Sequence, residues 1–91
     1  MQALVAFDIA DNQRRDRLTR VLLDYGQRVQ ESVFWLECED ELLERIRQRM
    51  CGVIDSGGDN LWMIVLCRGC ARRVETWGQG RKPVIPEFFI F

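Results

Sequence analysis

Asp8 stands inside an apolar run, Ala3-Leu4-Val5-Ala6-Phe7-Asp8-Ile9-Ala10, that reads as a strand bound for the interior. A lone carboxylate buried there costs several kcal/mol unless a cation or hydrogen bonds answer it. An arginine, a helix N-terminus, a metal ion or bulk water at the strand's end must therefore meet it. The chain has no histidine. That excludes imidazole general acid–base chemistry and His-ligated metals, and leaves carboxylates, a metal, tyrosine or cysteine to carry any catalysis.

The basic residues are the second chemical resource. Twelve of thirteen are arginine, with Lys82 the exception, and arginine's planar fork suits bidentate phosphate contacts and fixed ion pairs. Between Asp11 and Gln30, Arg14, Arg15, Arg17, Arg20 and Arg28 face three aspartates; between Cys67 and Lys82, four arginines and the lysine face Glu75 alone. The middle, from Glu31 to Met50, sets six acids against Arg45, Arg47 and Arg49. A net charge of −1 argues against a uniformly basic nucleic-acid binder, but two local basic patches suit a phosphate-binding ridge. The alternative is a salt-bridged, solvated surface, with Arg15 paired to Asp11 and Arg17 or Arg20 to Asp16 or Asp24. Arg72 and Arg73 beside a cysteine turn are candidates for backbone phosphates. In that turn, Cys67-x-x-Cys70 invites zinc or a redox pair. A structural zinc wants four ligands, however, and Cys38 and Cys51 form no second C-x-x-C, so ordinary thiols in a reducing cytosol are the expectation.

These groups need elements to position them. Gln2 to Ile9 is expected as the first strand. Asp11 or Asn12 caps a helix to about Tyr25, with Leu18, Val21, Leu22 and Tyr25 as its apolar stripe, Arg14, Arg17 and Arg20 opposite, and Gly26 as a left-handed stop. Arg28 to Cys38 alternates as a second strand. Glu39-Asp40-Glu41 opens a second helix buried through Leu42, Leu43, Ile46 and Met50, ended by Gly52, its charges ordered to complement the helix dipole. Leu61 to Leu66 is apolar on both faces, as befits a central strand. A strand around Arg73 to Trp77 and an extended segment from Pro83 to Phe91 complete the chain. The expected fold is α+β, a ferredoxin-like β-α-β-β-α-β domain spanning 1–91 with an extra C-terminal strand.

At 91 residues the chain makes one small domain that buries only somewhat more than ~60% of its unfolded surface. No apolar run approaches the ~18 residues of a membrane span, and no signal peptide opens the sequence, so a cytosolic protein is expected. Two helices cover one face of such a sheet, and a second copy is the simplest cover for the other. The expectation is a homodimer packed sheet to sheet, its greasy tail Phe88-Phe89-Ile90-Phe91 paired with a sheet edge, its own or the partner's. Trp35, Trp62 and Trp77 are read as core or interface. Leu4, Ala6 and Asp8 share one face, so the dimer brings two Asp8 carboxylates toward each other across the two-fold axis. A cation would bridge them, and Mg²⁺, which takes oxygen ligands and needs only one or two carboxylates, suits the place. The chemistry this permits is metal-assisted phosphodiester hydrolysis. A structural Asp8, capping the next turn or paired with an arginine, is the competing reading.

Phe7-Asp8-Ile9, the arginine-rich helix, and Gly26-Gln27-Arg28-Val29-Gln30-Glu31-Ser32-Val33-Phe34 together resemble Cas2, the small adaptation subunit of CRISPR systems; Leu66-Cys67-x-x-Cys70 adds to the likeness. The resemblance spans essentially the whole chain. It implies that Asp8 is the metal-binding and catalytic aspartate and that Arg15 and Arg17 are the helix-one arginines. Arg28 and Phe34 match the strand-two pair linked with nucleic-acid cleavage, and Ser32 the motif serine. Phe7 stands where tyrosine is common, which removes a hydroxyl near the metal. Two roles are implied: a nuclease on RNA or DNA dependent on Mg²⁺ or Mn²⁺, and a scaffold for the Cas1 integrase on duplex DNA during spacer capture. A toxin-like ribonuclease of the VapD type and a ferredoxin-like ligand-binding regulatory module are the readings to be separated from it.

Overall fold

The computed structural model describes residues 1–75 and 77. Its elements are β1 (Gln2–Asp8), α1 (Asn12–Leu23), β2 (Gly26–Gln30), β3 (Val33–Glu37), α2 (Asp40–Cys51), β4 (Asn60–Leu66) and the short α3 (Arg68–Arg72). The strands form one sheet in the order β2-β3-β1-β4, and every neighbouring pair is antiparallel. This is the expected ferredoxin-like β-α-β-β-α-β domain. Among the described residues no helix is long and apolar enough to cross a membrane.

Strand alternation builds the core. Ala3, Val5 and Phe7 point to the helix side with Phe34 and Leu36, and all five are buried. Leu18 and Leu22 of α1 and Leu43, Ile46 and Met50 of α2 close over them, at the i, i+3, i+4 spacing that puts side chains on one helical face. Asp11 caps α1, its side chain accepting the Arg14 backbone N–H at 2.9 Å.

Four expectations are corrected. The single strand from Arg28 to Cys38 is two strands, β2 and β3, folded back at the polar Glu31-Ser32 turn. There the Arg28 guanidinium donates to the Glu31 carbonyl at 2.8 Å, and a bulge between Arg28 and Gln30 shifts the register. Alternation continues through the turn, so it could not reveal the reversal. Second, β4 is the most apolar strand yet lies at the edge of the described sheet, and β3 takes the central place beside β1. Third, no strand forms from Arg73 to Glu75; α3 and a turn at Arg73 stand there instead. Fourth, Gly26 is no left-handed stop. It is the first residue of β2, and a Cβ there would lie 2.2 Å from the Trp35 carbonyl oxygen, so the constraint is the close approach of two strands. The expected segment from Pro83 to Phe91 lies outside the described residues.

The sheet face away from the helices is left apolar. Trp62 and Ile64 are each 54% exposed and stand opposite Ala6 and Leu4 of β1. Trp35 is buried, whereas Trp77 is exposed.

Candidate nucleic-acid interface

Asp8 is the last residue of β1, paired in register with Asn60 at the start of β4. Strand alternation sends its side chain to the open face with Leu4 and Ala6, and it is exposed. Among the described residues no hydrogen bond or ion pair meets its carboxylate. The carboxylate stands open to solvent at the strand's end, so the expectation of a buried charge is corrected.

A cavity of about 490 Å³ opens at this end of the sheet. Phe7 and Asp8 of β1, Arg15 and Asp16 of α1, Arg28 of β2, and Glu31 and Ser32 of the turn line it. The β2–β3 turn is tied down here: the Phe7 N–H donates to the Ser32 carbonyl at 3.0 Å. The Phe7 and Phe34 rings stack with centroids 6.1 Å apart, and the Arg28 guanidinium lies 5.8 Å from the centre of the Phe34 ring. Phe34 thus supports Arg28 from within the core while Glu31 aims it. Arg15 donates to the Ile9 carbonyl at 3.4 Å and to the Asn12 side chain, so it does not pair with Asp11. Phe34→Ala should cost about 3–5 kcal/mol of stability, since the ring is fully buried and its removal leaves a cavity. Urea unfolding checks this.

The remaining predicted arginines are placed differently. Arg17 borders a shallow depression with Gln13, Asp16 and Arg20 on the outer face of α1, and neither Arg17 nor Arg20 pairs with Asp16 or Asp24 among the described residues. Asp24 instead receives Arg49 at 3.7 Å. Arg72 and Arg73 follow the Leu66 end of β4, which pairs with Gln2. They therefore stand at the opposite end of the sheet from Asp8, about 20 Å away along a seven-residue strand.

Arg14 is not available to phosphate. Its Nε donates to Asp59 Oδ2 at 2.8 Å and its Nη2 to Asp59 Oδ1 at 3.2 Å. The Asp59 side chain is 1% exposed and also accepts the Asp55 backbone N–H at 2.8 Å. The pair joins α1 to the loop that launches β4. Sequence reading missed Asp59, because its partner lies 45 positions away and no local pattern links them. The Arg14 hydrogen bond, then that from Asp55, hold the Asp59 carboxyl below its ordinary range. A depressed folded value contributes stability above the unfolded pKa of ~3.9 that is lost as pH falls through the folded value. Asp59→Asn should lower the melting temperature at neutral pH and flatten the loss of stability below about pH 4. Thermal melts across pH check both.

The donor set permits a hard cation in part. Asp8 offers an exposed carboxylate with no partner among the described residues, and Mg²⁺ takes one or two carboxylates while keeping several waters. Among the described residues no group of three or more His, Cys, Asp or Glu side chains could hold a metal, so one chain supplies a ligand rather than an enclosed site.

The chain is similar to several known proteins. The family described as CRISPR associated protein Cas2 matches residues 1–74. The CRISPR-associated endoribonuclease Cas2 1 of Chloroflexus aurantiacus is 38% identical over 81 residues, 88% of this chain and 87% of that protein. The CRISPR-associated endonuclease Cas2 2 of Thermus thermophilus is 40% identical over 83 residues, 91% of this chain and 88% of its own length. Among solved structures, Streptococcus pyogenes Cas2 superposes with a TM-score of 0.78 at 32% identity, covering 86% of this chain and all of that one. With a family match over most of its length, relatives at 38–40% identity and the shared fold, this chain belongs to the Cas2 family.

Proposed function

We propose that the chain is a cytosolic CRISPR adaptation subunit: a homodimer that binds duplex DNA, scaffolds the Cas1 integrase during spacer acquisition, and cleaves phosphodiesters of RNA or DNA with Mg²⁺ or Mn²⁺ at Asp8. One observation carries this reading. An exposed carboxylate, unpaired among the described residues, stands in a cavity with two fixed arginines, Arg15 and Arg28, and with Ser32. A metal-seeking anion beside phosphate-seeking cations is the charge pattern a phosphodiester requires.

The apolar face bearing Trp62 and Ile64 also carries Asp8, so a second copy laid over it would bring two Asp8 carboxylates into one region and create the need for a cation. Bound Mg²⁺ supplies charge neutralisation at a phosphoryl oxygen and activation of a water nucleophile. The chain's own residues do the rest. Asp8 would hold the cation, Arg15 and Arg28 engage phosphates on either side of the scissile bond, and the Ser32 hydroxyl donates to a phosphate oxygen. Phe34 and the Glu31 carbonyl keep Arg28 from collapsing onto Asp8. Arg17 and, at the far end of the sheet, Arg72 and Arg73 extend the positive track along a duplex, positioning it without reading bases.

Cleavage by wild type and by Asp8→Asn is compared beside Cas1-dependent spacer insertion. Loss of cleavage with insertion intact makes Asp8 catalytic yet dispensable for the scaffold. No cleavage by wild type with any divalent metal contradicts the nuclease role. Absence of duplex binding at low salt, with or without Cas1, favours the ligand-binding module, and cleavage without any Cas1 association favours the VapD-type ribonuclease.

A further inference from the structure

Cys67 and Cys70 take no part in the phosphodiester site, and they lie at the other end of β1 from Asp8. We propose that they form a thiol–disulfide exchange site, with Cys67 attacking and Cys70 resolving, for a low-molecular-weight disulfide that carries amide and carboxylate groups. Both residues are exposed. The Cys70 backbone N–H donates to Cys67 Sγ at 3.3 Å. Cys67 is the N-cap of the short α3 and Cys70 stands in its first turn, and a disulfide forms when the two Cβ atoms close to about 3.5–4.5 Å.

The two thiols are unequal. Hydrogen bonds from the Cys70 backbone and thiol hold Cys67 below the usual thiol range, while the contact with Cys67 raises Cys70. The nucleophile is the thiolate, and the Cys70 N–H donated to Cys67 Sγ assigns attack to Cys67. The other cysteines lack these features. Cys38 is buried, and burial pushes its thiol up; Cys51 is exposed but has no second sulfur beside it.

A seat for the ligand adjoins Cys67. A cavity of about 450 Å³ runs between Met1, Gln2, Val65, Leu66 and Cys67. Gln2 is 4% exposed, and its Oε1 has no hydrogen-bond partner among the described residues. A buried amide oxygen without a donor is costly, and rotation of the Gln2 side chain into the cavity would let it accept the amide N–H of a peptide-like disulfide. The exposed guanidiniums of Arg72 and Arg73, on the same turn as Cys70, attract the carboxylates of such a ligand.

The exchange balances without another reactant. The Cys67 thiolate bonds to one ligand sulfur, the ligand S–S bond breaks, and one ligand thiolate leaves. Cys70, losing its proton to solvent, then attacks Cys67 Sγ and expels the second ligand thiolate. Two protein thiols are oxidised by two electrons to one disulfide. One ligand disulfide is reduced to two thiols, which take up the two protons.

The test uses the intact protein with oxidised glutathione, read by intact mass and thiol count. Wild type is expected to fall from four free thiols to two, with no glutathione attached. Cys70→Ser should accumulate one glutathionyl group at Cys67, and Cys67→Ser, which keeps an oxygen to cap the turn, should react at least about tenfold more slowly than wild type. Cys51→Ser should behave as wild type. The proposal is overturned if wild type keeps four thiols under excess oxidised glutathione, if Cys67→Ser reacts as fast as wild type, or if the purified protein holds stoichiometric Zn²⁺ through Cys67 and Cys70.

Discussion

Asp8→Asn should reduce metal-dependent cleavage at least about a hundredfold while leaving the melting temperature unchanged. Outer-shell partners of a metal site already cost about 10–100-fold when lost, and under the proposed function Asp8 would hold the metal itself. Structure explains why stability is spared. The carboxylate is exposed and makes no hydrogen bond or ion pair among the described residues, and exposed substitutions of that kind usually stay within ±0.5 kcal/mol. In the proposed dimer, association without metal should tighten, because asparagine would remove the repulsion between two neighbouring carboxylates. Parallel cleavage assays and thermal melts, with and without Mg²⁺, read all three effects. A large loss of stability in Asp8→Asn would return Asp8 to the structural role that its strand position first suggested.

The second large effect is in binding. Under the proposed function, Arg15, Arg17 and Arg28 from each of two chains would give about six phosphate contacts, and Arg72 or Arg73 would bring the total to about eight. Each contact contributes ~0.9 to the log–log slope against salt, so duplex affinity should fall about 10³–10⁴-fold between 50 and 200 mM salt. Arg17→Ala should lower the slope by about 2, one contact being lost from each chain. Arg14→Ala should leave the slope unchanged, since its guanidinium is committed to Asp59, and should instead destabilise the fold. Fluorescence anisotropy with one duplex at several salt concentrations separates the two arginines. Equal slopes for wild type and Arg17→Ala would remove α1 from the duplex interface.

Local pattern carried the sequence reading where neighbours in the chain decide structure. Alternation placed Asp8 with Leu4 and Ala6, and helical spacing found Leu18, Val21 and Leu22 on one side of α1. The reading failed where distant residues decide. Glu31-Ser32 lies between two stretches of continuous alternation, and only the pairing of β3 with β1 shows that the chain reverses there. The apolar run from Leu61 to Leu66 mimics a central strand, because Trp62 and Ile64, which the structure leaves exposed, read in sequence like residues covered by their own chain. Gly26 reads as a helix stop from one side, but its reason is Trp35 across the sheet. The arginines show the same division: their abundance was visible, yet which of them an acid had already claimed depended on Asp59.

The central claim is that Asp8 presents a carboxylate to a divalent cation. Mn²⁺ titration followed by electron paramagnetic resonance tests it without relying on cleavage. Wild type should bind Mn²⁺ in competition with Mg²⁺, and Asp8→Asn, folded and dimeric, should lose that binding. Equal Mn²⁺ binding by the two proteins would contradict the account.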